Sequence, residues 1–589
     1  MNFWRLLTKS RKVDLMRNFE VAFIFSDIAD MLEIKGENFF KVRAYRKAAH
    51  VILNLPYELE EIMQHSSLES IEGIGKALAE KIREISMTGT CRYYEDLKKE
   101  MPRSIVEMLK IPGLGAKKVK TIYDRLGIST VDELEEAAKS KKLRNLPGIG
   151  VKTEQSILKG IQMLQGKVGK FLLPTAEAVA DEISSMLATL PEIRNIKVAG
   201  SLRRKKEMIG DLDILVSTVF PEEVGRSFLK LPRVKDILAK GPTKISVLLD
   251  IGIQADLRMV EPKSFYSALV YFTGSKEHNT KLRSIALKHG YRLNEYGICE
   301  NKDESAHAIF PDSEEKLYEH FGMPYIVPEL REDRGEIEAA LEGRLPRLIE
   351  QSDIKGDLHV HSNWSDGISS IESIAETARS LGYEYVAITD HSRSLRIANG
   401  LNEARLREQM RYIDELNKSF EGFKILKGIE VDILNDYLLD FDDSILKELD
   451  VVVASIHSGF RQDKEKLTKR IIKACENPHV DIIAHPTGRL LGKRDAYDVD
   501  MEQVLQAAAE TGTILEINSS PDRLDLNDVM AKKAKEMGVR ISINTDAHEK
   551  DGLKDIRYGL NVARRAWLEK ADIVNTLPLN SILKELKSW

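Results

Sequence analysis

Two aspartates separated by a single leucine, Asp211 and Asp213, enter the apolar run DLDILVS at residues 211–217. Alternate side chains of a strand share a face, so both carboxylates project together while Leu212 and Ile214 point behind. Carboxylates that close repel unless a cation lies between them, and hard oxygen ligands in that arrangement suit Mg²⁺, with substrate phosphate completing the shell. Upstream, in GSLRR (200–204), Gly200 and Ser201 form a tight turn whose backbone N–H groups can face a phosphate, and Arg203 and Arg204 offer planar charge-assisted donors. Asp-x-Asp alone is ordinary at the end of a surface strand. Preceded by this turn, it points to nucleotidyl transfer, in which two metal ions align the attacking and leaving oxygens. The third carboxylate such a site needs is Asp256 in IQADLRMV, with Asp250, on the same parity, as its competitor.

A second set of candidate ligands lies further along. Six of the thirteen histidines follow apolar runs, in DLHVHS (357–362), ITDHS (388–392), ASIHS (454–458), IIAHP (482–486) and NTDAH (544–548), and GIEVDI (428–433) places an acid in the same setting. A lone histidine at a strand end is usually a satisfied core group. His359 and His361, two apart on a strand, can instead meet one metal, and Asp546 with His548 repeats the device. Imidazole with carboxylate suits Zn²⁺, Mn²⁺ or Fe²⁺, and bridging carboxylates allow ions about 3.5–4 Å apart. Arg489 and Lys493 follow the His485 loop, where they would steady substrate phosphate or stand as solvated charge.

These residues need elements to hold them. Repeated strand–helix units with ligands at strand ends describe an α/β barrel, whose site lies at the carboxyl ends of its strands. Helix and strand alternate over 167–260, with strands IKVAG, DLDILVS, SVLLDIG and IQADLRMV, as in a small α/β palm. Residues 19–166 read as helical throughout, broken by Gly/Pro turns. They contain an internal repeat: IEGIGKALAEKI (71–82), IPGLGAKKVKTI (111–122) and LPGIGVKTEQSI (146–157). Each copy has two glycines around an apolar residue, then a helix. The pairs Gly73/Gly75, Gly113/Gly115 and Gly148/Gly150 let the backbone approach a phosphate while the following helix presents its N–H groups, as in helix-hairpin-helix motifs. One copy would be a helix cap and turn; three in register point to DNA binding without sequence readout.

Composition agrees with this division. The 589 residues exceed one core, so several domains are expected. Residues 1–170 carry 30 Lys and Arg against 23 Asp and Glu, whereas the whole chain is at −5, so a basic first third faces an acidic remainder. Three distant cysteines form no CxxC, which excludes a disulfide framework or zinc finger and fits a reducing cytoplasm. No segment reaches transmembrane length, so no membrane partner is expected.

The motifs GSLRR, GDLD (210–213), AD (255–256), YFTGS (271–275), Asn279, Arg283 and NEYGI (294–298) occur in the order found in the family X DNA polymerases, and the chain resembles that family. The resemblance implies template-directed addition of dNTPs by Asp211, Asp213 and Asp256 with Mg²⁺ or Mn²⁺. It implies a nucleotide site comprising Gly200, Ser201, Arg203, Arg204, Gly210, Tyr271, Phe272 and Gly274, with Asn279 and Arg283 nearer the base and template. AYRKAA (44–49) extends the likeness to a small amino-terminal domain. There Lys81 falls at the position of a Schiff-base lysine that removes 5′-deoxyribose phosphate, and Lys41 and Tyr45 at 5′-phosphate contacts. Phe40 and Ala77 depart from that pocket, standing where it has a histidine and a lysine.

The carboxyl-terminal region resembles the polymerase-and-histidinol-phosphatase (PHP) domain, with all nine ligand positions filled by His359, His361, Asp366, His391, Glu430, His457, His485, Asp546 and His548. This implies a phosphoesterase holding up to three Mn²⁺ or Zn²⁺ ions. The expected organisation is multidomain α and α/β. It comprises a tail or upstream start (1–18, with Met16 an alternative start), helical DNA-binding regions (19–95 and 96–166), a palm (167–260), a thumb (261–335), a linker (336–354) and a distorted (β/α) barrel (355–589). The expected protein is a monomeric cytoplasmic repair polymerase acting on gapped or primed DNA, whose tail shortens 3′ ends or cleaves at abasic sites or 3′-phosphates. Its rivals are a small-molecule phosphatase with a degenerate polymerase and a non-catalytic DNA-binding scaffold.

Overall fold

In a computed structural model the chain forms two compact units, residues 1–168 with 492–494 and residues 169–491 with 495–589. The structure describes residues 18–586 apart from 54, 56–58, 60–61, 64–66, 72, 112–113, 167–169 and 301–307. The alternative start at Met16 and Gly113 lie outside the described residues.

The first unit is helical. Asn18–Lys35 runs through its centre, burying Phe25, Ile28 and Leu32, and Phe39–Leu53, Lys76–Thr88, Arg92–Glu100, Ala116–Leu126, Val131–Lys139 and Val151–Gly166 complete it. Helix ends follow local chemistry. Gly89 and Gly127 close their helices in the left-handed conformation, and Thr130 with Glu133 forms a capping box.

The second unit begins with a five-stranded sheet in the order Asn195–Val198, Asp211–Ser217, Gln254–Val260, Lys244–Leu249, Val234–Lys240. The last is an edge strand absent from the sequence reading; its side chains are nearly all exposed, so it carries no alternating signal. Leu212, Ile214 and Val216 bury against Leu173–Ala188, while Leu215, on the aspartate face, packs on Phe265–Thr273. That helix, Lys276–Lys288, the hairpin Tyr291–Asn294/Gly297–Glu300 and Glu314–His320 form the thumb.

Residues 336–354 are not a linker. Glu336 is fully buried with its carboxylate 2.6 Å from His278 Nδ1, Ile337 and Ala340 enter the thumb core, and Ile349 and Ile354 join the larger core. The charged surface pattern of this stretch concealed a carboxylate that ties the helix start to His278 and to the backbone N–H groups of Asp333 and Arg334.

Seven parallel strands follow in chain order: Gly356–Val360, Tyr385–Ile388, Lys424–Asp432, Val451–Ser455, Ile482–Ile483, Ile514–Asn518 and Ile541–Asn544. First and last approach each other, with a bridge from Val360 to Ala547, so the barrel nearly closes. Sequential parallel pairing requires each connection to cross outside the sheet, which leaves every strand's carboxyl end at one mouth.

Candidate active sites

In the palm, parallel pairing sets Asp213 directly opposite Asp256, with Asp211 two residues before it on the same face. Asp250 lies in the turn after Lys244–Leu249, bonded to Arg233 at 3.0 Å, and so takes no part in this cluster. Gly200 has φ +61°, and a Cβ there would fall 2.5 Å from Asp213 Oδ2. Only glycine lets this turn sit against the carboxylate. Burial raises the Asp213 carboxyl above its usual range, with Arg258 opposing and Asp211 adding to the rise. Burial would also raise Asp256, but hydrogen bonds from Lys244, Ser246 and Gln254 outweigh it and hold it below that range.

Two cations that sequence reasoning missed neutralise these acids. Arg258 Nε lies 3.2 Å from Asp213 Oδ1, and Lys244 Nζ lies 2.6 Å from Asp256 Oδ2. Arg258 was discoverable, being two residues after Asp256 on one strand. Arg258 also stacks 4.1 Å from the Phe272 ring centre, and Phe272 meets Tyr271 edge-on at 5.1 Å. Asn279 donates to the Tyr271 carbonyl at 2.5 Å, and a Cβ on Gly274 would strike its amide oxygen. Arg283 is exposed one turn on, and Gly210, just before Asp211, borders open space.

Arg203 and Arg204 differ from the expectation of phosphate donors. Arg203 bonds Glu314 and the Thr273 hydroxyl, while Arg204 bonds Glu332 at 2.9 Å and the Thr273 carbonyl at 2.8 Å. Thumb carboxylates distant in sequence fix both guanidinium groups, so they anchor the turn.

In the helical unit, Gly75 and Gly115 are the residues from which Lys76–Thr88 and Ala116–Leu126 start, and Gly150 accepts from Glu154 N. A Cβ on any of the three would meet nothing within 4 Å, so no internal contact demands glycine there. An external group approaching closely would. Gly73 and Gly148 have φ of +86° and +76°, which does demand it. Lys41 and Lys81 each place Nζ 5.3 Å from the centre of the Tyr93 ring, on which Tyr45 stacks. Lys81 Nζ also donates to the Ala77 carbonyl at 3.1 Å. Tyr93, which no motif marked, is the centre of this group.

At the barrel mouth all nine candidate ligands converge. Glu430 is the hub. Its Oε2 lies 2.8 Å from His391 Nδ1 and 3.5 Å from the Nε2 atoms of His359 and His361, and its Oε1 lies 3.0 Å from His485 Nε2 and 3.3 Å from His457 Nε2. Asp546 Oδ1 is 3.0 Å from His361 Nε2, and Asp366 Oδ2 is 3.4 Å from His548 Nε2. Ligand atoms fall into three groups, each within 4.8 Å: His361, Asp366, His391 and His548; His359, His361 and Asp546; and His391, Glu430 and His457.

This donor set fits divalent cations. Buried Glu430 Oε2 has three imidazoles around it and hydrogen-bond geometry with none, and the His359 and His361 Nε2 atoms face each other at 3.2 Å. So many nitrogen and oxygen donors converging on one enclosed point, with Glu430 Oε2 left without a hydrogen bond, suit metal ligation better than a closed hydrogen-bond network. Burial together with His548 and His391 drives His361 down to about 3, so its ring offers a lone pair at neutral pH. Burial alone would raise Glu430 and Asp546, yet the surrounding imidazoles hold both carboxylates well below their usual range. His485 and Asp546 have φ of +30° and +53°, a sparsely populated region for non-glycine residues.

Outer partners fix the ligands. Glu516, fully buried, accepts from His359 Nδ1 at 2.8 Å and from the His485 backbone N at 2.9 Å, and Asp432 accepts from His457 Nδ1 at 2.7 Å. The Glu516→Gln variant should therefore bind its ions about 10–100-fold more weakly. The metal concentration for half-maximal phosphodiester hydrolysis measures this, and an unchanged value would refute the role. Arg489, read as a phosphate contact or as solvated charge, forms a two-pronged pair with Glu207 of the palm at 3.1 and 2.6 Å. The guanidinium at the mouth is Arg523, whose Nε lies 3.5 Å from Asp546 Oδ2.

Comparison with known proteins covers both sites. Residues 268–332 match the DNA polymerase beta thumb and 357–520 the PHP domain, while 16–91 match a helix-hairpin-helix domain and 105–163 a SAM-like helix-hairpin-helix tandem. The chain is 42% identical over 574 residues to the DNA polymerase/3′-5′ exonuclease PolX of Bacillus subtilis (strain 168), covering 97% of this chain and 100% of that protein. Over 231 residues it is 36% identical to a "Probable phosphatase" of Thermoanaerobacter sp. (strain X514), covering 37% of this chain and 89% of the relative. A "Probable phosphatase" of Acetivibrio thermocellus is 34% identical over 245 residues, 40% of this chain and 93% of its own length.

Proposed function

The chain belongs to the family of the DNA polymerase/3′-5′ exonuclease PolX, and we propose that it fills short gaps during DNA repair, extending primers at the palm and trimming 3′ ends at the barrel. The observation that carries this reading is the presence, in one chain, of two separate clusters with the composition of metal ligands: three carboxylates on adjoining palm strands, and nine imidazole and carboxylate groups at the barrel mouth. Metal dependence is a property of both families. We assign Mg²⁺ to the palm and Mn²⁺ or Zn²⁺ to the barrel on donor type.

Asp211, Asp213 and Asp256 would hold the palm ions, and the nine barrel residues theirs. Bound there, such ions neutralise phosphate charge and align attacking and leaving oxygens. The chain's own groups do the rest. Gly200 and Ser201 receive the triphosphate, Arg258 and Lys244 offset the charge of Asp213 and Asp256 while the site awaits substrate, and Tyr271 and Phe272 wall the sugar. At the barrel, Arg523 meets the phosphate at the rim, where Asp366 and His548 are the more exposed ligands. In the helical unit Lys41, Tyr45 and Lys81 receive a 5′-phosphate, the lysines as cations over Tyr93; the glycine turns track backbone phosphates. The barrel's likeness to phosphatases supports removal of 3′-phosphates as a further activity.

The test is a one-nucleotide-gap duplex with and without a 5′-phosphate, incubated with Mg²⁺ or Mn²⁺. With dNTPs the primer should grow by one residue, and without them it should shorten. Chelation should stop both, and loss of the 5′-phosphate should weaken binding. A protein that leaves the primer unchanged yet hydrolyses a small phosphomonoester would overturn the reading in favour of a phosphatase.

A further inference from the structure

The stretch from Gly200 to Gly210 connects the phosphate-facing turn to the first catalytic aspartate, and two arginines of the barrel grip it. Arg565, at the end of helix Ile556–Arg565 and nearly buried, donates through Nη1 to the Arg204 carbonyl at 2.7 Å and lies 3.1 Å from Glu332 Oε1, which Arg204 Nε also bonds. Its Nη2 is 2.8 Å from Asp528, which Arg334 engages at 2.9 Å. Arg489, four residues after His485, takes Glu207 in a two-pronged pair and bonds the Leu524 carbonyl. Residue 204 is thus held by one barrel element and residue 207 by another. Between them Lys205 adopts φ +55°, a conformation that persists only where its surroundings impose it.

These contacts reach the chemistry. Gly200 abuts Asp213, so a displacement of the turn is a displacement against that carboxylate. On the barrel side, Gly559 of the Arg565 helix is so close to Ser519 and Ile543 that a Cβ would strike both, which makes the helix a rigid support.

We infer that Arg489 and Arg565 are positioning residues for nucleotide addition: barrel side chains that set the nucleotide-binding segment 200–210 without touching nucleotide. The inference rests on nucleotidyl transfer at the aspartate cluster, which the parent protein's primer extension checks separately. Both arginines make part-buried, charge-assisted bonds to the palm, so their loss frees the segment, while strand pairing keeps the backbones of Asp211, Asp213 and Asp256 in register. The expected coupling is of the ordinary size for linked sites, about 5–150-fold in affinity.

The experiment measures KM for dNTP and kcat on the gapped duplex for Arg489→Gln, Arg565→Gln and the pair, in full-length protein carrying His359→Ala and His361→Ala so that trimming does not interfere. KM should rise about tenfold in the pair, with kcat changed much less. Arg489→Lys and Arg565→Lys should recover part of the loss. Glu207→Gln and Arg489→Gln combined should cost no more than Arg489→Gln alone, because Glu207→Gln breaks a contact that Arg489→Gln has already removed. Unchanged KM in the pair would overturn the proposal. So would a parallel fall of kcat, KM performance and melting temperature, which would make the arginines merely structural. Absence of extension in the parent would instead refute the underlying polymerase reading.

Discussion

Asp256→Asn should slow primer extension by on the order of 10²–10³-fold or more, the size of loss seen when one charge-stabilising group leaves a transition state, while 3′-end trimming persists. Asp256 faces Asp213 across the parallel pair and is held ionised by Lys244. An amide in its place removes a negative ligand and leaves Lys244 and Arg258 facing a depleted cluster. Asp250→Asn is the informative contrast, since Asp250 sits in a turn against Arg233 and should leave extension near wild type. Primer extension under single-turnover conditions reads both. Equal losses in the two variants would mean that the cluster is not the site of chemistry.

Glu430→Gln should remove trimming by more than about a hundredfold, since even outer partners of metal ligands cost 10–100-fold, and should spare extension. Two carboxylate oxygens face five imidazoles, and the hub is fully enclosed. A neutral amide would turn two N–H donors toward ring nitrogens needed as lone-pair donors. Metal content by elemental analysis should fall with activity. Full metal retention with full trimming would exclude Glu430 as a ligand.

Both clusters were legible because strand alternation turns a spacing of two into a shared face: Asp211 with Asp213, His359 with His361. The glycine repeat was legible for a similar reason, its function residing in backbone spacing. Pairings set by distant residues were not. Nothing local says that Arg203 and Arg204 will meet Glu314 and Glu332, or that Arg489 will cross to Glu207 instead of facing phosphate. Glu336, read within a linker, is buried against His278, a partner far away in sequence. Glu516 and Tyr93 lacked a signal for the complementary reason: each acts by contacting functional residues far away in sequence. Arg258 and Asp432 stood two residues from recognised acids and could have been found by the same parity rule.

The double grip on residues 204 and 207 has a consequence for incomplete chains. The aspartate cluster is complete by residue 256, but the barrel cluster needs residue 548, so interrupted synthesis would otherwise yield a polymerase stripped of its editor. Because the braces are Arg489 and Arg565, a chain ending before them has also lost what steadies its nucleotide segment. If Arg489 and Arg565 act as inferred above, truncation handicaps synthesis together with 3′-end trimming.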